Sequence, residues 1–158
     1  MIARAHTAAL VGVDATIGDV EVDIAGGLPQ LAIVGLAGGA VRESRDRVRA
    51  AIRNAGYPFP GTRVTVNLAP ADLRKEGTGF DLPIAAAILA AGGTVKPDLL
   101  SRHLLLGELG LEARVKGVSG ALPAAIAAWK RGLAGILLPR ENAREAAIVE
   151  GIAVRGVS

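Results

Sequence analysis

The sequence predicts an α+β domain, and three observations carry that prediction. Residues 19–25 (Asp-Val-Glu-Val-Asp-Ile-Ala) alternate polar and apolar without a break. A period of two gives a strand one wet face. Val41, Val48, Ile52 and Ala55 are spaced as one stripe of an amphipathic helix. Antiparallel signals dominate the first half of the chain, and strands alternate with helices in the second half.

The elements follow in order. Residues 2–11 mix apolar and polar positions, as a strand does, and 19–25 form the next strand, with Asp19, Glu21 and Asp23 on its wet face. Gly26-Gly27-Leu28-Pro29 is a turn signal, and 30–34 reads as the return strand of a hairpin. A glycine-rich break, 35–39, precedes a helix over 40–55, for which Gly56 fits the position after the C-cap. Residues 63–68 place Val64, Val66 and Leu68 on one strand face. A charged, glycine-rich loop covers 69–80. Asp81 reads as an N-cap and Pro83 as a first-turn proline for a helix to Ala91. That helix is apolar all round, so it should be central and buried. Residues 104–106 are a short strand, with 112–118 as its hairpin partner. A helix opened by Pro123 runs to Arg131, a buried strand spans 135–138, a short helix spans 141–149, and a last strand spans 152–157.

The 158 residues fit one domain. Hydrophobic residues make up 51% and aromatics only 3%, so the core is built from Ala, Leu, Ile and Val. The absence of cysteine excludes disulfides, thiolate metal sites and cysteine nucleophiles. The first residues lack a signal-peptide layout, and the apolar run 82–91 is too short to span a bilayer. A cytoplasmic protein without a membrane partner is expected. A net charge of +3 permits a nucleic-acid partner without demanding one.

Several motifs weigh against common chemistries. Gly35-Leu-Ala-Gly38-Gly39 stands before a helix, but its spacing is not that of a dinucleotide fingerprint, and no Walker A pattern occurs. It reads as a strand-to-helix turn. His6 and His103 have no ligand-spaced companions, so no metal site is expected. No serine lies in a nucleophile elbow. The 40–55 helix carries five arginines, of which Arg47 pairs with Glu43 at i, i+4. Arg42, Arg45, Arg49 and Arg53 remain as candidate DNA contacts, with Arg63, Arg74 and Lys75 beyond the helix.

The loop 73–83 is the most unusual segment. Asn67-Leu-Ala-Pro-Ala-Asp-Leu-Arg-Lys-Glu-Gly-Thr-Gly-Phe-Asp-Leu-Pro-Ile-Ala resembles a signature of the ComM/YifB proteins, also called magnesium-chelatase-like AAA+ ATPases. Val34-Gly-Leu-Ala-Gly-Gly-Ala-Val-Arg-Glu-Ser-Arg-Asp-Arg-Val-Arg-Ala-Ala resembles a second signature and Leu106-Gly-Glu-Leu-Gly-Leu a third. The likeness covers essentially the whole chain. Ala37-Gly38-Gly39 departs from the family's Pro-Asp-rich turn.

The resemblance implies a single Lon-like N-terminal domain over 1–158, with the ribosomal-protein-S5-domain-2-like fold: a mixed sheet with helices mainly on one face. It also implies a downstream AAA+ module that uses ATP and Mg, absent from this sequence, and no cofactor in this domain. Implied partners are that module, neighbouring subunits of a hexamer, and single-stranded or branched DNA. Active Lon domains pair a serine with a lysine. By motif matching their positions fall on Gly79 and Leu122, so no catalytic residue is expected. A cryptic peptidase would need Thr78 or Ser119 with Lys75 or Lys116.

Overall fold

The computed structural model describes residues 1–158. Its first two strands, β1 (Ile2–Val11) and β2 (Asp14–Ala25), form a long antiparallel hairpin from Ile2↔Asp23 to Val11↔Asp14. The tight turn between them uses Gly12 at φ +64, a conformation glycine adopts without a Cβ penalty. The strand β3 (Gln30–Val34) does not return along β2. The position beside β2 belongs to β4 (Arg63–Ala69), which runs antiparallel to it, and β3 lies outside β4 in parallel register, Gln30↔Arg63 to Val34↔Asn67. Alternation in 30–34 marks a strand but carries no information on which neighbour it joins.

Between β3 and β4, the expected single helix is two: α1 (Gly39–Arg42) and α2 (Ser44–Asn54), separated at Glu43. After β4 come α3 (Asp81–Ala91) and a short helix α4 (Pro97–Ser101), which has proline in its first turn and was not anticipated. The strand β5 (His103–Leu105) lies between β1 and a later strand, both parallel to it, and not in a hairpin with 112–118. Instead β6 (Glu108–Leu109) pairs with β7 (Val115–Lys116) in a separate two-stranded sheet. Then follow α5 (Ala121–Arg131), β8 (Gly135–Pro139), a 3₁₀ turn (Arg140–Asn142), α6 (Ala143–Ala146) and β9 (Ala153–Val157). The main sheet is mixed and seven-stranded, in the order β3-β4-β2-β1-β5-β8-β9.

Side-chain alternation divides the packing between the two faces. Val20 and Val22 on β2, Val64, Val66 and Leu68 on β4, and Leu105 on β5 enter the larger core with Val41, Val48, Ile52, Ile84, Ile88 and Leu100. Thus α1 to α4 share one face. Leu104 and Leu106 point the other way and meet Ala121, Ala124, Ala125 and Ala128 of α5 and Ala146 of α6. Most helices therefore lie on one face, an arrangement consistent with the Lon-like expectation. Each fully buried Val, Leu or Ile contributes about 1.5–3 kcal/mol. The alanines of α5 contribute less area and allow a closer helix. The helix α3, apolar after Asp81, is central as expected, with eight of its eleven residues buried, Asp81 among them, and it packs against β1, β2 and α2.

Candidate nucleic-acid interface and the closed cleft

The motif loop is anchored by its lysine. Lys75 is 1% exposed, and its Nζ donates to the carbonyls of Gly35 (2.8 Å), Leu68 (3.0 Å) and Pro70. Three acceptors match the three donors of an ammonium. Burial pushes the Lys75 pKa below the ordinary lysine value, opposed by the charge of Asp72. Backbone bonds complete the clasp: Lys75 N–H donates to Leu36 O and Gly38 N–H to Lys75 O. Gly35 makes the approach possible. It has φ +107, and a Cβ there would lie 2.1 Å from Leu68 O. The glycine cluster is the seat of the motif loop, and the strand-to-helix turn expected there is what it forms.

At the other end of the loop, Asp81 does not cap α3. Phe80 holds the cap position, and no side-chain cap bond forms. Fully buried Asp81 instead accepts from Arg47 Nε (2.7 Å) and Nη2 (3.1 Å), Ser44 Oγ (2.5 Å) and Leu109 N–H (3.0 Å). The first cause of Arg47's raised pKa is its hydrogen bond to Asp81. The expected Glu43 partner stands at 3.6 Å and is largely exposed, a minor contact beside the bidentate one. This network joins α2, α3 and β6. Sequence reading missed it. Its signal was a lone carboxylate opening an otherwise apolar helix, which requires a cation from elsewhere in the fold.

Between the motif loop and the β7–α5 connection lies a cavity of about 150 Å³, lined by Ala8, Thr78, Gly79, Leu106 and Ser119 among others. Gly79 is the degenerate serine position. Leu122, the degenerate lysine position, does not line this cavity. It faces a separate groove with Val13 and Ile126. Thr78 and Ser119 share the cavity, but no lysine lines it. Lys75 is committed to the three carbonyls, and Lys116 lies exposed on β7. The residues for a Ser/Thr–Lys pair are not assembled.

The candidate DNA contacts separate into groups. The protein's ion pairs use the N-terminus, Arg4, His6, Arg47 and Arg74. Arg42, Arg45, Arg49, Arg53 and Arg63 therefore have no carboxylate partner. Arg45, Arg49 and Arg53 follow at i, i+4 and i+8 along α2 and share one face, and Arg42 continues it from α1. Asp46 is the one carboxylate on that arc, and it makes no ion pair. Arg63 is exposed at the start of β4. Arg74 lies on the motif loop, paired with Glu76 at 2.7 Å. Lys75 leaves the candidate surface altogether, because its ammonium is buried and fully bonded. At the end of α2, Arg49 and Arg53 stand 5.6 and 5.8 Å from the Phe59 ring centre. Together they line a groove of about 280 Å³ that also includes Gln30 and Thr62.

The remaining polar positions read as structure. His6 bonds Asp19 at 2.7 Å, and Glu21 bonds Arg4 and Asn67 on the wet face of β2. No group of three or more His, Asp or Glu side chains is placed to hold a metal ion. No helix is long and apolar enough to cross a membrane.

Comparison with known proteins gives the chain its family. The family described as "Subunit ChlI of Mg-chelatase" matches residues 20–142. The protein YifB of Escherichia coli is 47% identical over 146 residues, covering 92% of this chain and 29% of its own length. The competence protein ComM of Haemophilus influenzae is 42% identical over 148 residues, covering 94% of this chain and 29% of its own. A Lon protease of Chloroflexus aurantiacus is 28% identical over 132 residues, 78% of this chain and 16% of the protease. The chain spans under a third of the length of the curated relatives it matches.

Proposed function

The chain belongs to the ChlI family, and on that premise we propose that it is the non-catalytic N-terminal domain of a hexameric AAA+ ATPase that acts as a DNA branch-migration helicase in transformation or recombination. Its work is ring assembly, partner docking or guidance of DNA, while an ATPase module supplies ATP and Mg chemistry. The observation that carries this reading is the cleft that Gly79 lines. It offers hydroxyls without a lysine, and the position matched to the lysine is Leu122 in another groove. The 42% identity to a protein named for competence supports the link to DNA uptake.

The reading has two tests. The coding sequence beyond Ser158 should contain a Walker A motif, and a continuation without one would sink the family role. Incubated with an unfolded protein, this chain should leave it intact. Cleavage that Ser119→Ala abolishes would restore the peptidase reading. A second reading, a DNA-binding module in its own right, is favoured by the arginine row on α2, which lacks carboxylate partners.

A further inference from the structure

We propose that the groove formed by Arg49, Arg53 and Phe59 is a phosphodiester site for a single nucleic-acid strand. This inference rests on the DNA-contact reading and names where on the surface that contact is made.

The argument begins with the guanidiniums. A surface arginine ordinarily loses side-chain entropy when it binds an anion. Here Arg49 and Arg53, one helical turn apart, both stand within 6 Å of one aromatic ring, at 5.6 and 5.8 Å. Cation–π attraction to Phe59 holds them in place before any ligand arrives. Neither has a carboxylate partner, and no acidic residue lines the groove. Two preplaced guanidiniums with Gln30 and Thr62 beside them supply the donors that a phosphodiester's oxygens accept.

The surroundings point to a strand in preference to a free anion. The row continues from Arg53 through Arg49 and Arg45 to Arg42. Arg45 to Arg53 alone cover about 12 Å of α2 at 1.5 Å per residue, a length that a single phosphate cannot use and a polyanion can. They also favour a single strand over a duplex. The guanidiniums lie in a recess walled by Phe59 and Pro60, which a flexible backbone can enter. Tyr57, 47% exposed, lies two residues before Phe59 in the loop that follows α2. An unpaired base leaving the phosphate can stack on it, the combination of positive groove and aromatic surface that single-strand binders use. Phe59, engaged by both arginines, positions them and is not the stacking ring.

The test is fluorescence anisotropy with the 158-residue chain and a labelled single-stranded oligonucleotide across a salt series. A duplex of the same sequence, polyglutamate and inorganic phosphate serve as competitors. Wild type should bind the strand. Arg49→Ala/Arg53→Ala should weaken binding about tenfold per guanidinium. It should also flatten the log–log salt slope by about 1.4, at about 0.7 per phosphate contact for single strands. Tyr57→Ala should weaken binding without changing the slope, and Arg131→Ala, exposed at the end of α5 on the other side of the sheet, should change neither. Circular dichroism melts confirm that the variants are folded. If wild type binds and the double variant binds equally with the same slope, this site is wrong while the DNA-contact reading stands. If wild type does not bind at low salt, the DNA-contact reading itself fails. Displacement by polyglutamate as effective as by the unlabelled strand would make the groove a site for an acidic protein. A preference for duplex would overturn the single-strand assignment. Inorganic phosphate should compete only weakly, and full displacement at low millimolar phosphate would reduce the site to one for a free anion.

Discussion

Two sets of cations in this molecule are alike in sequence and opposite in circumstance. Lys75 and Arg47 are turned inward, and every donor that matters finds an internal acceptor. Arg45, Arg49 and Arg53 stand on the outer face of the same helix that carries Arg47, with no carboxylate to meet them. The difference teaches that a charged residue's role follows from burial and partners, and not from the motif that contains it. Lys75 sits in the most distinctive signature of the chain, yet it fastens the loop to β4. The arginines lie in a less distinctive stretch and are the groups left free to meet a ligand.

The largest expected effect lies in the sealed set. Asp81→Ala removes the acceptor of four hydrogen bonds and leaves Arg47 with the Ala40 carbonyl and the largely exposed Glu43 at 3.6 Å. Breaking one side of a buried pair costs about 3–5 kcal/mol, so urea denaturation should show a loss of that size. A loss below about 1 kcal/mol would mean the network does not tie α2 to α3. Lys75→Met should come next. It takes the ammonium away from the carbonyls of Gly35, Leu68 and Pro70, of which Pro70 O keeps the N–H of Leu73, at about 1–3 kcal/mol for an unsatisfied buried group. Proteolysis should then begin in 69–80.

Gly79→Ser sharpens the comparison from the cleft. Its Cβ would meet Leu106 Cδ1 at 2.8 Å, the far end of a flexible side chain. The expected cost is about 1 kcal/mol, with no peptidase activity gained, because Leu122 supplies no base. Hydrolysis by this variant would show that another lysine reaches the cleft. The smallest effect belongs to the open set. Each of Arg45→Ala, Arg49→Ala and Arg53→Ala should change stability by no more than about 0.5 kcal/mol.

Much of the fold was legible from local signals. The alternation in 19–25, the apolar run of α3 and the glycine at 56 each report on their own neighbourhood, and the elements stand where those signals place them. What the chain did not reveal was pairing at a distance. The strand 30–34 looks like a hairpin return because Gly26 to Pro29 reads as a turn. Its true neighbour, β4, arrives about thirty residues later, and Thr62 O accepts the N–H of Gln30. The pairing of 115–116 with 108–109, in place of the strand at 103–105, is the same kind of fact. For the candidate site, the arginine face of α2 follows from helical spacing alone. Lys75 was misplaced onto that surface because a lysine in a polar loop reads as exposed. Its burial depends on Gly35 and β4 converging on it, contacts that no window of sequence contains. The Phe59 ring joins Arg49 and Arg53 for a similar reason: the loop after α2 folds back beside the helix end.

One paired measurement tests the sorting of these cations most directly. Thermal stability and affinity for labelled single-stranded and forked DNA at low salt would be measured together for Lys75→Met and for Arg45→Ala/Arg49→Ala/Arg53→Ala. The account predicts a clean exchange. Lys75→Met melts earlier but, below its melting temperature, binds as wild type does. The arginine variant melts as wild type does and binds weakly, with a flatter salt dependence. An arginine variant that binds undiminished, or a folded Lys75→Met that has lost binding, would contradict it.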